Sequence, residues 1–410
     1  MRQRIKWICL CVLLLAVAAF VALCFLHDGQ TLTDVSRSGQ QPQTLPSTTV
    51  PRETYVEKTA RTYLPNAQTV RPVGRTLYYD DVCWFSHSGC GVEFSCVADW
   101  VKVTLTVAQS YAVTYNHRPR VAVFVNGALA ADEILDEENR TLELPLEDVQ
   151  GEAVIKIIKL SESMYSCAGL RSIEVYGNAG VTPTRQPDML LEFIGDSITA
   201  GYGLDAESEY GTFSTRTENY LGTFAYLTAQ SLGAESYAVA YSGYGVLSAF
   251  TNNGVIRPDL VLSKCYDKTV TNLILPDDVS SIWPFVQPKP TMIVINLGTN
   301  DASYCYTADR RAAFVNAYRE LLTLVRQNNP AVPIICVLGD MNAAMMPYID
   351  QAVVEYRHDT GDYMVTSTPL TFEMETCGST IDGHPNRASN QLAAETLTAF
   401  LWKTALGAGY

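Results

Sequence analysis

The sequence predicts two globular parts, an antiparallel β-sandwich followed by an α/β domain built on a parallel sheet. The chain has 410 residues, and at roughly 100–200 residues per domain we expect two domains. Residues 65–180 contain short runs of alternating apolar and polar side chains, a pattern typical of strands. From residue 189 onwards, short apolar runs alternate with helical patterns, which predicts a parallel sheet covered on both faces.

The first part, residues 65–180, is predicted to be a sandwich of two antiparallel sheets. Its strand candidates are rich in valine and threonine, and no convincing helix separates them. These candidates cover 101–107, 120–125, 140–147, 153–160 and 170–177. Asn126-Gly127 directly follows one of these runs and is a strong signal for a two-residue hairpin turn. The prolines within 181–188 then indicate a linker.

The second part, residues 188–408, is predicted to be a doubly wound α/β domain. Its strand candidates lie at 189–194, 236–241, 292–297, 332–338 and 363–367. Helices are predicted at about 217–232, 308–327 and 387–404. Functional residues of such sheets gather at the carboxyl ends of the strands, so we look for chemistry directly after each strand candidate.

Composition excludes several classes of function. Hydrophobic residues make up 47% of the chain, so disorder throughout is excluded. The net charge is −14, and because an acidic surface repels phosphate backbones, no nucleic-acid partner is expected. The sequence contains neither a C-x-x-C pair nor an H-E-x-x-H segment, so no metal site and no other cofactor is predicted.

The N-terminal residues 1–27 are predicted to be a membrane anchor or a signal peptide. Three basic side chains lie within residues 1–6, and residues 7–26 are uniformly apolar, a length that matches the roughly 30 Å hydrocarbon core of a bilayer. The basic flank should stay cytoplasmic while the remaining chain is exported. An uncleaved anchor is favoured because no small-x-small site follows, and a cleaved signal peptide is the alternative. Residues 28–64, rich in Thr, Ser, Gln and Pro, are predicted to be a flexible linker.

Eight of the 11 cysteines lie outside the apolar N-terminal run. They are Cys83, Cys90, Cys96, Cys167, Cys265, Cys305, Cys336 and Cys377. An even number in an exported protein permits disulfides, and buried free thiols are the alternative. Cys336 lies inside a strand candidate and is expected to be a buried thiol.

Four short polar blocks lie where the predicted sheet would bring them to one edge. They are Gly195-Asp196-Ser197, Ser242-Gly243, Gly298-Thr299-Asn300-Asp301 and Asp382-Gly383-His384-Pro385. The first three directly follow strand candidates, and the fourth precedes the last predicted helix. Together the blocks supply a hydroxyl nucleophile, an imidazole base and donors for an oxyanion.

These blocks resemble those of the SGNH (GDSL-type) hydrolases over about residues 189–405. More closely, the chain resembles carbohydrate esterase family 2, which joins a β-sandwich of jelly-roll type to an SGNH domain. The GDSITAGYG and DGHP segments carry this likeness, and RVAVFVNG and IIKLSE extend it to about residues 70–405. The resemblance implies a carboxylic ester hydrolase, similar to acetyl xylan esterases, that removes O-acetyl groups from carbohydrate.

Ser197 is the predicted nucleophile, because a serine hydroxyl attacks an ester once a base takes its proton. A helix N-cap is the alternative role for this residue. Among the five histidines, His384 is the predicted base, since imidazole has a suitable pKa and this residue lies in a loop before the last helix. His358 is interpreted as a cation at a helix C-terminus, and Asp196 is expected to be structural.

The resemblance assigns the oxyanion hole to the Ser197 N–H, the Gly243 N–H and the Asn300 side-chain amide. For Gly243 the alternative is a plain turn, although Gly245 lies close enough to be confused with it. For Asn300 the alternative is a loop cap.

The third member of the predicted triad is less regular. Most SGNH enzymes carry an acid three residues before the histidine, whereas this chain has Ile381 there and Asp382 one residue later. Asp382 therefore either orients His384 or points away while a backbone carbonyl does so. The resembled esterase family shows the same spacing and includes Ser-His dyads.

The predicted function is that of an exported serine esterase that deacetylates plant polysaccharide or oligosaccharide through an acyl-enzyme. Acetylated carbohydrate and, through residues 1–27, the membrane are the expected partners. Two alternatives stay open: an SGNH esterase or lipase acting on non-carbohydrate or cell-wall esters, and an inactive glycan-binding surface protein. Aromatic side chains near the active blocks, including Tyr202 and Tyr244, either stack on sugars or serve packing.

Overall fold

The computed structural model of the protein describes residues 58–406, apart from 109–113, 137, 178, 272, 274 and 287. The predicted membrane segment, residues 1–27, and most of the predicted linker lie outside this range. In the described part of the chain, no helix combines the length and apolar character needed to cross a membrane.

The N-terminal part consists of two six-stranded antiparallel sheets. The first sheet contains β1 (Thr59–Tyr63), β3 (Leu77–Tyr79), β4 (Val82–Phe85), β6 (Trp100–Val107), β9 (Asn139–Pro145) and β11 (Ala168–Gly177). The second contains β2 (Arg71–Val73), β5 (Gly91–Cys96), β7 (Arg120–Val125), β8 (Ala128–Ile134), β10 (Ala153–Lys159) and β12 (Thr182–Pro183). Asn126 and Gly127 join β7 to β8 with φ values of 49° and 81°, as a type I′ hairpin turn requires.

Two strands of this part lie in segments predicted to be linkers. β1 pairs with β11 from Thr59 opposite Gly177 to Tyr63 opposite Ile173, so residues 59–63 belong to a sheet rather than to the 28–64 linker. Its sequence, TARTY, is largely exposed and lacks the apolar alternation that identifies a strand. β12 is only two residues long and pairs with β5, within the predicted 181–188 linker.

The C-terminal part contains one parallel sheet of five strands, ordered β14-β13-β15-β16-β17. Its strands are β13 (Leu190–Gly195), β14 (Glu235–Ala240), β15 (Met292–Asn296), β16 (Ile334–Gly339) and β17 (Val365–Leu370). The helices are α1 (Ser197–Ala200), α2 (Phe224–Ser231), α3 (Ala308–Asn328), α4 (Met346–Thr360), α5 (Met374–Cys377) and α6 (Arg387–Leu401). The predicted fold class, a sandwich followed by an α/β domain, is confirmed.

Helices cover both faces of the parallel sheet. Alternate strand side chains point to opposite faces, so Phe193 packs with the core under α2 and α6 while Ile194 packs with the core under α3 and α4. Both strand side chains have no exposed surface. This two-sided burial explains why the strands appear in the sequence as continuous apolar runs.

Helix α2 is shorter than the predicted helix 217–232. The Thr223 side chain accepts a hydrogen bond from the Tyr226 N–H and caps the helix, which therefore begins at Phe224. The preceding residues Tyr220–Gly222 form a separate 3₁₀ turn, capped by the side chain of Asn219.

The eight cysteines of the described chain are free thiols, so the disulfide alternative is wrong for them. Cys336 lies in β16 with no exposed surface, as expected. Burial raises the pKa of its thiol, which keeps the group protonated and unreactive at neutral pH.

Candidate active site

Ser197 lies two residues after the carboxyl end of β13. Asp196, rather than Ser197, caps helix α1, and its Oδ1 accepts the Ile198 N–H at 3.1 Å. The N-cap interpretation of Ser197 is therefore wrong, whereas the structural role expected of Asp196 is confirmed. The Ser197 Oγ instead lies 2.7 Å from Nε2 of His384, within reach for direct proton transfer.

His384 reaches Ser197 from the loop before α6. Its Nδ1 lies 3.0 Å from the backbone carbonyl oxygen of Ile381. Because a carbonyl only accepts hydrogen bonds, Nδ1 carries the proton in the neutral ring and Nε2 is left to accept the Ser197 hydroxyl. His384 is 8% exposed, and its imidazole stacks on the Tyr202 ring with 4.3 Å between ring centroids. Carbonyl and ring together hold the imidazole in one orientation.

Among the described residues, Asp382 makes no hydrogen bond to His384, whose Nδ1 is bonded to the Ile381 carbonyl. The Asp382 backbone has φ of 53°, in the left-handed region that Asp and Asn tolerate better than most residues. Its Oδ2 accepts a hydrogen bond from the Tyr202 hydroxyl at 2.9 Å. The described geometry thus matches the second of the two alternatives, in which a backbone carbonyl orients the imidazole. A catalytic role for Asp382 stays a prediction.

We predict that Asp382→Asn reduces kcat by less than about tenfold, against about 10⁴-fold for a triad aspartate. Asparagine tolerates the left-handed backbone, and its side-chain oxygen can still accept a hydrogen bond from the Tyr202 hydroxyl. The substitution therefore removes mainly the charge. Steady-state kinetics on a soluble acetate ester provide the measurement. Tyr202→Phe is the matched control, because it removes the hydrogen bond between Tyr202 and Asp382 but keeps the ring and the Asp382 charge. A thousandfold loss in the asparagine variant alone would restore Asp382 as the triad acid.

The pH dependence should follow from the environment of His384. Burial lowers the pKa of this imidazole, while the Ile381 carbonyl and the Asp382 charge partly counteract the shift. A base acts in its neutral form, so kcat/KM should be full at neutral pH and fall as pH drops through a value below 6.5, the ordinary histidine pKa.

The pH–rate profile tests this directly, and one control is needed. Burial also raises the pKa of Asp196 to about 7, so this carboxyl titrates in a neighbouring range. The Asp196→Asn variant identifies the origin of the acidic limb. A limb above the ordinary histidine value that survives in this variant would contradict the assignment to His384.

The residues that carry the predicted oxyanion donors, Ser197, Gly243 and Asn300, line one cleft together with His384. Within the described residues, the backbone N–H groups of Ser197 and Gly243 have no hydrogen-bond acceptor. The Asn300 amide nitrogen donates to Asp196 Oδ2 at 3.1 Å and to the Tyr244 carbonyl at 2.8 Å. Asn300 occupies the position before the 3₁₀ turn Asp301–Ser303 but makes no side-chain cap bond to it. Its role as a third donor stays a prediction and requires the exchange of one of these two bonds.

Asp301 has a structural role that the sequence analysis missed. Its carboxylate accepts backbone N–H groups from Val246 at 2.9 Å, Leu247 at 2.7 Å and Ser248 at 2.9 Å. It thereby anchors the chain that follows Gly243 at the sheet edge. An acid inside a buried polar block is the only hint of this in the sequence.

The four polar blocks meet at one cleft of about 470 Å³. The cleft is lined by Ser197, Tyr202, Ser242, Gly243, Phe250, Thr299, Asn300, Met341, Asp382 and His384. His358 lies elsewhere, in the exposed last turn of α4. In the described part of the chain, no group of three His, Cys, Asp or Glu side chains is arranged to hold a metal ion.

A parallel sheet that carries serine after one strand, asparagine after the next in the sheet and histidine before the last helix is the arrangement of the SGNH hydrolase class. Residues 193–367 match the model of the GDSL-like lipase/acylhydrolase family. The predicted resemblance to this family is confirmed over these residues.

Comparison with known proteins gives several relatives. The chain is 35% identical over 215 residues to cellulase/esterase CelE of Acetivibrio thermocellus, a match that covers 51% of this chain and 25% of that protein. It is 27% identical over 279 residues to an acetylxylan esterase/glucomannan deacetylase of Cellvibrio japonicus, covering 63% and 72%. A family two carbohydrate esterase from Clostridium thermocellum, solved with cellohexaose, superposes with a TM-score of 0.70 at 26% identity and covers 82% of this chain and 99% of its own. The chain thus spans about a quarter of the length of the Acetivibrio relative.

Proposed function

We propose that the protein is a serine esterase that removes O-acetyl groups from carbohydrate. The 2.7 Å contact between the Ser197 Oγ and Nε2 of His384 carries this proposal. It pairs a nucleophile with a base whose other nitrogen is already engaged by the Ile381 carbonyl. The Ser197 and Gly243 N–H groups, which have no acceptor among the residues that the structure describes, supply the donors that acyl transfer needs.

The reaction proceeds in two halves. In the first, the Ser197 Oγ attacks the acetyl carbonyl carbon as its proton moves to Nε2 of His384, and the Ser197 and Gly243 N–H groups bind the oxyanion. Collapse breaks the bond to the sugar oxygen, which takes the proton from His384, and leaves acetyl-Ser197. In the second half, water attacks this ester with His384 as base, acetate leaves, and Ser197 regains its proton.

The carbohydrate specificity rests on the relatives. Two of them are named for esterase activity, one of these on acetylated xylan and glucomannan, and a third, a carbohydrate esterase, was solved with a cellulose oligosaccharide. The cleft also offers ring surfaces, since Tyr202 and Phe250 line it and Phe250 is 52% exposed. Such rings pack against the apolar faces of sugars.

A substrate panel tests this specificity. We expect acetylated xylan and glucomannan oligosaccharides to be deacetylated with kcat/KM at least about tenfold above that for butyrate or longer esters, because a relative is named for acetyl ester hydrolysis and one methylene group changes discrimination by about tenfold or more. Acetate release and mass spectrometry of the sugars are the readouts. Higher activity on long-chain or lipid esters would favour the alternative esterase function. Absence of both activities would favour the glycan-binding alternative.

We further propose that the protein acts outside the cytoplasm, held at the membrane by residues 1–27. The apolar run at 7–26 and its basic flank support this. In cell fractionation, the full chain should sediment with membranes and keep its N-terminus. A mature N-terminus near residue 28 in the soluble fraction would instead show a cleaved signal peptide.

A further inference from the structure

A buried carboxylate of the sandwich part reaches the residue beside the proposed oxyanion glycine. Glu162 lies just after β10 and has no exposed surface. Its Oε2 accepts the backbone N–H of Ser242 at 2.6 Å, and its Oε1 accepts the Ser242 hydroxyl. One side chain therefore holds both donors of the residue that precedes Gly243.

The chain at Ser242 forms a turn whose type decides where the Gly243 N–H points. The Tyr244 N–H donates to the Tyr241 carbonyl at 3.2 Å, so Ser242 and Gly243 are the two central residues. Gly243 has φ of 78°, whereas Ser242 has no positive φ, which is the type II pattern. A type I turn differs mainly by a flip of the peptide between the central residues. That flip would reverse the Gly243 N–H.

The glycine at position 243 is required by this turn rather than by crowding. A Cβ atom built there would meet no atom within 4 Å. Most other residues adopt this positive φ only at a cost in free energy, whereas glycine adopts it readily. The backbone conformation at Gly243 is thus the feature that the surroundings must maintain.

Glu162 is itself held by a buried polar cluster. Its backbone N–H donates to Oε2 of Glu218 at 2.9 Å, and the Lys159 ammonium donates to the Ser161 and Glu162 carbonyls at 2.7 Å each. Lys159 and Glu218 also have no exposed surface. Burial raises the pKa of the Glu162 and Glu218 carboxyls. The two hydrogen bonds from Ser242 and the charge of Lys159 favour the ionised form of Glu162. A buried charge with this many partners keeps one position.

We propose that Glu162 is a positioning residue that holds the Ser242-Gly243 turn in its type II form, so that the Gly243 N–H faces the oxyanion. This inference rests on the proposed esterase function. It assigns the sandwich part a role in catalysis, because the side chain that holds the Ser242-Gly243 turn comes from the loop after its strand β10. Glu162 itself does not touch the substrate.

The test compares both ends of strand β14. Glu162→Gln acts near the carboxyl end of β14, where it keeps the side-chain size but loses the charge and one of the two acceptor oxygens. Glu235→Gln is the matched control at the other end, where the carboxylate bonds Arg71 at 2.7 and 2.8 Å and Lys156 at 2.8 Å. Glu235 lies at the start of β14 and Ser242 lies two residues after its end, so each glutamate joins the sandwich near one end of this strand, but only Glu162 contacts the Ser242-Gly243 turn.

We expect Glu162→Gln to lower kcat about tenfold or more with KM nearly unchanged, since loss of a whole oxyanion donor costs about 10²–10³-fold. Labelling of Ser197 by a fluorophosphonate, which also places an oxygen in the oxyanion hole, should slow in parallel. Glu235→Gln should lower the unfolding temperature and leave kcat within about twofold of wild type.

Three outcomes decide the inference. A folded Glu162→Gln protein with wild-type kcat would overturn it. If this variant does not fold, Ser242→Ala, which removes only the hydroxyl contact, decides: a severalfold loss of kcat at similar KM supports the inference and wild-type kcat overturns it. A wild-type protein without esterase activity would instead refute the proposed function.

Discussion

Replacing Ser197 by alanine should lower kcat by about 10⁴-fold or more, as removals of nucleophiles do in comparable hydrolases. The loss follows from the geometry, because the Ser197 Oγ is the hydroxyl bound to Nε2 of His384 at 2.7 Å. Without it the acyl-enzyme cannot form, and only slow direct attack by water, aided by binding and the oxyanion donors, remains. The measurement is the rate of acetate release from an acetylated oligosaccharide at saturating substrate, followed in a stopped assay.

The alanine variant should keep its fold, which separates this result from simple destabilisation. Ser197 is the first residue of α1, and the cap of that helix comes from Asp196. Thermal unfolding should therefore change by no more than a typical small substitution does, about 1 kcal/mol. Turnover close to wild type in a folded variant would refute Ser197 as the nucleophile.

Replacing His384 by alanine should cause a loss of similar size, about 10⁴-fold in kcat. The substitution removes the base whose tautomer is set by the Ile381 carbonyl at 3.0 Å. A serine hydroxyl without a base is almost entirely protonated at neutral pH and attacks esters poorly.

The double variant provides the sharper result. Because the two side chains act as one unit, Ser197→Ala combined with His384→Ala should lose no more activity than either single variant. His358→Ala is the matched control and should leave kcat unchanged, since this histidine is exposed at the end of α4 and bonded to Asp359. Additive losses in the double variant would show that the residues work independently and would contradict the dyad.

Much of the fold was predictable because the strands obey simple periodic rules. The five strands of the parallel sheet lie close to their predicted positions, since burial on both faces makes them continuous apolar runs. β1 was missed for the opposite reason: its side chains are largely exposed, and pairing with β11 alone makes it a strand. The N-terminus of α2 was misplaced because the Thr223 cap competes with an apolar pattern that runs past it.

In the candidate site, Ser197 and His384 were predictable because their side chains carry recognisable chemistry. The partner of Nδ1 was left open, since a backbone carbonyl such as that of Ile381 has no signature in the sequence. The shortened spacing between Asp382 and His384 did signal that the usual acid would be displaced. The Glu162 contact with Ser242 joins residues 80 positions apart, and no local pattern predicts a contact between two domains.

Fluorophosphonate labelling with peptide mapping tests the central claim most directly, that Ser197 is an activated nucleophile in a site for acetylated carbohydrate. The wild-type protein should take up a single label on Ser197, and His384→Ala should slow labelling strongly. An acetylated xylan or glucomannan oligosaccharide should protect against the label, whereas a long-chain ester should not. A label on another residue, no label at all, or protection only by the long-chain ester would contradict the account.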